Sequence, residues 1–119
     1  MLPDLTSCNI AVIGLGYVGL PLALEFSKVK ICLKTNINLE REVTGFDIDT
    51  KRIEDLKKCI DITNELSKDD LPNLKNIKFT SNLDGLKEND VFIISVPTPI
   101  KNSKTPDLSN LKKACKLVG

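Results

Sequence analysis

Apolar positions change period along this chain of 119 residues, and the changes mark out alternating strands and helices. Ile10-Ala11-Val12-Ile13 is apolar without polar alternation, the pattern of a parallel strand covered on both faces. It runs into Gly14-Leu15-Gly16-Tyr17-Val18-Gly19, beyond which Leu20, Ala23 and Leu24 fall at helical spacing and Pro21 is tolerated in the first turn. A second strand is predicted at Val43-Thr44-Gly45-Phe46, closing on Asp47. Asp49 or Thr50 caps the next helix, in which Ile53, Leu56 and Ile60 form the buried stripe while Lys51, Arg52, Lys57 and Lys58 stay in water. Residues 61–76, polar and interrupted by Pro72, read as an irregular connection. A third strand follows at Ile77-Lys78-Phe79-Thr80, with Ser81 as the N-cap of a brief helix through Leu86. Val91-Phe92-Ile93-Ile94-Ser95-Val96 is the most apolar strand, and Pro97-Thr98-Pro99 stops it, since proline donates nothing to a ladder. Thr105-Pro106-Asp107 opens a last helix that carries Leu108, Leu111, Ala114, Cys115 and Val118 on one face.

Strands alternating with helices call for an α/β fold with a parallel sheet. The expected architecture is Rossmann-like and doubly wound but partial, with about four strands in the order 3-2-1-4. Composition narrows the chemistry. Lys+Arg at 17 against Asp+Glu at 16 gives a net charge of +1, so the concentrated positive field of a nucleic-acid binder is missing and no nucleic-acid partner is expected. No histidine is present, which excludes imidazole bases and histidine metal ligands within this chain. Cys8, Cys32, Cys59 and Cys115 form no C-x-x-C pair and read as reduced, mostly buried thiols of a cytoplasmic protein rather than as a zinc site or disulfide framework. Asp69-Asp70 and the run from Asp61 to Glu65 lack metal-ligand spacing and read as surface. Met1–Asn9 lacks the basic start of a signal peptide, and the apolar runs fall far short of the roughly 20 residues that span a bilayer, so no membrane partner is expected.

Three glycines in six residues are weak evidence alone, and a purely structural turn is the bland alternative. Here they sit directly after a buried strand and directly before a helix. In that setting the first glycine permits the turn, the second lets the backbone approach a pyrophosphate, and the third lets helix pack on strand, with the helix start facing the phosphates. Asp47 supplies the second half of a dinucleotide reading, because a carboxylate at the end of the second strand accepts hydrogen bonds from ribose hydroxyls and repels a 2′-phosphate, favouring NAD over NADP. The alternative is a solvated turn acid. Asp47 lies 28 residues after Gly19, where the fingerprint expects about 20. The surplus is assigned to an insertion at 29–41, at the end of the sheet away from the ligand. Val96, Pro97 and Thr98 are expected at the crevice between the first and fourth strands, unless the prolines merely end the strand. Arg52 is placed beside the adenine or a phosphate, its alternative being a solvated arginine on an exposed helix face.

Gly14-Leu15-Gly16-Tyr17-Val18-Gly19-Leu20-Pro21-Leu22-Ala23, Gly45-Phe46-Asp47-Ile48-Asp49 with Arg52, Val96-Pro97-Thr98-Pro99 and Pro106-Asp107-Leu108 together resemble the amino-terminal part of the UDP-glucose/GDP-mannose dehydrogenase family. Asp61-Ile62-Thr63-Asn64-Glu65 is similar to the branch acting on UDP-N-acetylhexosamines, including the Vi-type enzymes of surface polysaccharides. The resemblance implies that NAD is held by Gly14, Gly16, Tyr17, Val18 and Gly19 at the pyrophosphate, by Asp47 and Arg52 at the adenosine, and by Val96, Pro97 and Thr98 toward the nicotinamide. It further implies a parent enzyme that oxidises a sugar C6 alcohol to a carboxylate in two NAD-dependent steps through a cysteine nucleophile. The glycine-rich motif around that cysteine is absent here, so no catalytic residue is assigned. Residues 1–119 are accordingly expected to be an amino-terminal fragment of the NAD domain, inactive alone, from a cytoplasmic protein that is a homodimer at full length and meets its UDP-sugar only there. The rival reading is a stand-alone regulatory NAD module of the kind that gates potassium transport, against which the Tyr-Val-Gly-Leu-Pro and Val-Pro-Thr-Pro signatures speak. A methyltransferase using the same crevice for S-adenosylmethionine is a further alternative.

Overall fold

The computed structural model describes residues 8–28, 42–61, 66–96 and 108–119. Cys32, the 29–41 segment, residues 62–65, Pro97, Thr98, Pro99 and the Thr105-Pro106-Asp107 helix start lie outside the described residues. Four parallel strands, β1 (Ile10–Ile13), β2 (Val43–Phe46), β3 (Ile77–Thr80) and β4 (Val91–Ile94), stand in the order β3-β2-β1-β4, as the alternating pattern predicts. Ile13 is level with Phe46 on one side and Ile94 on the other, so the carboxyl ends of the three strands finish together. At the opposite end Asn9 ties β1 to its neighbours: its backbone N–H donates to Asp90 Oδ2 at 2.9 Å, and its side-chain oxygen accepts from the Glu42 N–H at 3.0 Å.

Strand alternation divides the core between two faces. Ile10 and Val12, with Val43, Ile77 and Phe79, join Leu20, Ala23 and Leu24 of α1 (Gly19–Lys28) and Ile53 and Leu56 of α2 (Thr50–Lys57). Ala11, Ile13 and Phe46 turn to the other face, where Leu86 and Ala114 of α3 (Ser109–Val118) cover them. The connection at 61–76 is less irregular than its composition suggests, because Leu71–Asn76 forms a 3₁₀ helix that buries Leu74 against the first cluster. The brief helix before β4 is also 3₁₀, over Leu83–Leu86, and Asn82 rather than Ser81 caps it through Asp84 N–H.

The end of α2 departs from the expected stripe. Asp49 caps the helix, its carboxylate accepting from the N–H groups of Lys51 and Arg52 at 3.1 and 3.2 Å. The helix stops at Lys57 in a Schellman motif: Cys59 N–H donates to Leu56 O at 3.0 Å and Ile60 N–H to Asp55 O at 2.8 Å. Cys59, at φ 60°, occupies the left-handed position that glycine usually fills. Ile60 therefore leaves the buried stripe and is 47% exposed, while the chain turns back and carries Asp61 inward. Asp61 is buried, contrary to the surface reading, and so is Arg52, which does not stay in water. Cysteine burial is mixed: Cys8 is buried, Cys59 partly so and Cys115 exposed. Among the described residues no helix is long and apolar enough to cross a membrane.

Candidate functional site

The chain leaves β1 at Gly14, whose φ of +94° a side chain would strain and whose added Cβ would lie 2.8 Å from the Ser95 carbonyl oxygen. Gly19 is needed for a different reason: a Cβ there would collide with the Gly14 carbonyl oxygen, so only glycine lets α1 start against the turn. Between them Gly16 faces open space, with nothing within 4 Å of the position a Cβ would take. The helical ladder opens with Leu20 N–H on the Gly16 carbonyl at 3.3 Å. Donors of Tyr17, Val18 and Gly19 thus have no acceptor inside α1 and stand at its positive end.

Asp47 follows β2 and reaches across to this loop. Its Oδ2 accepts from Leu15 N–H at 3.0 Å and its Oδ1 from Asp49 N–H at 3.0 Å. Each carboxylate oxygen keeps a further lone pair for a hydroxyl donor. From the β4 side, Ser95 N–H donates to Ile13 O at 2.8 Å, and the Ser95 hydroxyl lies 2.8 Å from the Gly14 carbonyl oxygen and 3.2 Å from that of Ile13. A cavity of about 370 Å³ opens at this meeting point, walled by the ends of β1, β2 and β4 and by α3. Its size lies within the range of small-molecule sites.

Of the residues singled out in the sequence, Gly14, Gly16, Asp47, Arg52 and Val96 share that wall. Gly19 is buried behind the loop, and Tyr17 and Val18 stand exposed at the helix start, 77% and 66% accessible. Arg52 is not the solvated arginine of the alternative reading but lies buried at the cavity wall. Its Nε and Nη2 donate to the Leu15 carbonyl at 3.2 and 2.9 Å, and its Nη1 pairs with Asp61 Oδ1 at 2.9 Å. Sequence reasoning missed Ser95, the exposed Ile48, and the contribution of α3, which brings Asn110, Lys113 and Leu117 to the cavity. Only Ser95 left a signal, as the one hydroxyl in an apolar strand end. No group of three or more His, Cys, Asp or Glu that could hold a metal ion occurs among the described residues.

The donor set suits a dinucleotide. An open glycine backbone with a helix start offers N–H groups to a pyrophosphate, and a carboxylate with spare lone pairs offers acceptors to a ribose. A Cβ at Gly16 would fill space that the backbone leaves open to the cavity.

Comparison with known proteins agrees with this chemistry. The family model for the UDP-glucose/GDP-mannose dehydrogenase family, NAD binding domain, matches residues 8–119. Over 111 residues the chain is 46% identical to a UDP-N-acetyl-D-glucosamine 6-dehydrogenase of Salmonella typhi, covering 93% of this chain and 24% of that protein. It is 47% identical over 111 residues to Protein CapL of Staphylococcus aureus, covering 93% of this chain and 23% of that protein. The structure of a UDP-D-ManNAc dehydrogenase from Pyrococcus horikoshii superimposes with a TM-score of 0.74 at 32% identity, over 92% of this chain and 25% of that one. The chain thus spans about a quarter of the length of the curated relatives it matches.

Proposed function

The chain belongs to the UDP-glucose/GDP-mannose dehydrogenase family, as its NAD-binding domain, and from that premise we propose that it is the cofactor-holding part of a nucleotide-sugar 6-dehydrogenase that oxidises a UDP-N-acetylhexosamine to its uronic acid. One juxtaposition carries the reading: the open backbone of Gly16, just ahead of the start of α1 at Gly19, and the Asp47 carboxylate meet at one cavity. Gly14, Gly16, Tyr17, Val18 and Gly19 present the pyrophosphate side, Asp47 and Arg52 the adenosine side, and Val96 with Pro97 and Thr98 the nicotinamide side. NAD, when bound, supplies a hydride acceptor. This chain's own residues bind and orient it: the first-turn N–H groups meet negative charge, while the fixed Asp47 carboxylate accepts from ribose hydroxyls and disfavours a 2′-phosphate.

The hexosamine assignment is supported by the relatives' names and by the Asp61–Glu65 motif, and the product suits polysaccharide biosynthesis of the capsule type. In this reading residues 1–119 are an amino-terminal portion of the NAD domain in a cytoplasmic, homodimeric enzyme, 29–41 is an insertion between α1 and β2, and other segments supply the thiol nucleophile and sugar pocket. A stand-alone regulatory NAD module is not favoured, because the dehydrogenase family match runs over residues 8–119.

Displacement of bound NADH, followed by its fluorescence, tests the cofactor. NAD is expected to displace it at roughly tenfold lower concentration than NADP, the scale of one unfavourable charge contact. Displacement by S-adenosylmethionine in preference to NAD overturns the reading. Mixed with NAD and a UDP-N-acetylhexosamine, the 119 residues are expected to produce no NADH; sustained production contradicts their dependence on further segments.

A further inference from the structure

We infer that Ser95 is a positioning residue of the cofactor loop: its hydroxyl and the Asp47 carboxylate grip one peptide group, the one joining Gly14 to Leu15, from opposite sides. The inference rests on the NAD reading above. Up to Gly14 the end of β1 is held by backbone alone. Ser95 N–H donates to Ile13 O at 2.8 Å from the β4 side, and Gly14 N–H donates to Phe46 O at 2.8 Å on the β2 side. One peptide further on, the chain turns away at the Gly14 φ of +94° and side chains take over the ladder. The Gly14 carbonyl accepts from the Ser95 hydroxyl at 2.8 Å, and Leu15 N–H donates to Asp47 Oδ2 at 3.0 Å. A serine hydroxyl has a single proton to donate. The other acceptor in reach, Ile13 O, is farther at 3.2 Å and already takes Ser95 N–H, so the proton goes to Gly14.

The C=O and N–H of a planar trans peptide point in opposite directions, so a bond at each end fixes its plane. Glycine tolerates either sign of φ and offers little resistance to rotation of the peptide that follows it. Without the Ser95 bond, the Gly14–Leu15 peptide is free to turn about its remaining contact with Asp47, and the direction of the open Gly16 backbone turns with it. Packing supplies no substitute, because nothing lies within 4 Å of the position a Cβ would take at Gly16. A ligand meeting such a loop would bear the cost of ordering it. Through the same peptide Ser95 steadies the Asp47 carboxylate, the group offered to the ribose. The serine also suits the space: its Oγ packs against Gly19, where a Cβ would collide with it, so the hydroxyl sits where the turn, the start of α1 and the end of β4 meet at the cavity wall.

The test compares the wild-type 119-residue chain with Ser95→Ala, Ser95→Thr and Ser27→Ala. Ser27 on α1 is the control: its buried hydroxyl donates to Leu24 O at 2.7 Å, so the same atom and the same kind of bond are removed away from the cavity. In the ligand-free proteins, amide hydrogen exchange at Leu15 is expected to rise about fivefold in Ser95→Ala, the scale of one neutral hydrogen bond, with the Gly14 carbonyl-carbon resonance shifted. Exchange in β2 should stay unchanged. Calorimetry should show NAD bound about fivefold more weakly by the same variant. Ser95→Thr keeps the donor and should match wild type in both readouts, as should Ser27→Ala whatever its stability; should one Ser95 variant fold poorly, the other still reports on the hydroxyl. Unchanged Leu15 exchange in Ser95→Ala overturns the grip, and with weakened NAD binding it is the signature of direct contact instead. Raised exchange with unchanged NAD affinity overturns the role in binding. So does a folded Ser95→Thr chain that behaves as Ser95→Ala, or a Ser27→Ala chain that loses as much affinity. A wild-type chain without NAD affinity overturns the NAD reading instead, and Leu15 exchange then decides the grip alone.

Discussion

The β4 end of the sheet is at least as apolar in sequence as its β1–β2 centre, yet it is covered far less. Every residue of β1 and β2 is buried, whereas each residue of β4, Val-Phe-Ile-Ile, remains partly exposed. The central strands are paired on both sides; β4 is paired with β1 alone among the described elements. Above β1 and β2, helices α1 and α2 and the 3₁₀ turn at Leu71–Asn76 interdigitate with the first cluster, while α3 fully buries only Ala114. Apolarity reports the environment a strand is suited to, and its neighbours decide how much of that environment it receives. The cavity lies where the two regions meet. Its backed wall, with Gly14, Asp47 and Arg52, belongs to the densely packed half, and its lighter wall, with Val96 and the α3 residues, to the other.

The contrast breaks first at Gly19. Gly19→Ala places a methyl where the Gly14 carbonyl stands, and since neither backbone can yield cheaply, a loss of about 3 kcal/mol or more is expected in denaturant unfolding, together with loss of NAD binding. Gly16→Ala sharpens the same point, because open space there predicts stability within about 0.5 kcal/mol of wild type while NAD affinity falls. Leucine truncation compares the two halves directly. Leu24→Ala, in the first cluster at 1% exposure, should cost about 3 kcal/mol, whereas Leu117→Ala on α3, 36% exposed, should cost less than about 1 kcal/mol. Equal costs would mean that the α3 side is packed as firmly as the centre. Cys59→Val puts a branched side chain at φ 60° and should destabilise by about 1.5 kcal/mol. The smallest effect belongs to the surface. The Lys28 ammonium, 2.7 Å away, holds the Asp70 carboxyl below its ordinary value of 3.8, so this pair's contribution is complete above pH 3.8 and fades as pH falls through the lower folded value. Lys28→Ala should leave the melting temperature at pH 7 nearly unmoved and flatten that acid limb slightly.

Strand positions were legible because β1, β2 and β4 are short, mainly apolar runs closed by Gly14, Asp47 and the Pro97 that follows Val96, although β4 itself ends at Ile94, and β3 alternates apolar with polar residues. The loop, its helix and Asp47 were legible for the same local reason. Arg52 was not, because charge places a lone arginine in water and its burial depends on Asp61, nine residues on. That partner arrives only through a Schellman turn whose usual glycine is here Cys59, which hides the helix end from a reading that looks for glycine. The 3₁₀ turn at Leu71–Asn76 escaped because three-residue spacing of Leu71 and Leu74 among polar neighbours is too short a signal. Asn110, Lys113 and Leu117 escaped because a helix read by its apolar face says nothing of which cavity its rim borders.

The central claim is that the glycine loop, the end of β2 and the end of β4 hold one NAD. Titrating the isotope-labelled 119-residue chain with NAD and following backbone amide shifts tests it most directly. The account predicts saturable shifts concentrated at Gly14–Gly19, Asp47–Asp49 and Ser95–Val96, with Leu74 and Ile77 on the far side unmoved. Saturable shifts centred elsewhere, or no shifts with the chain folded, would contradict it.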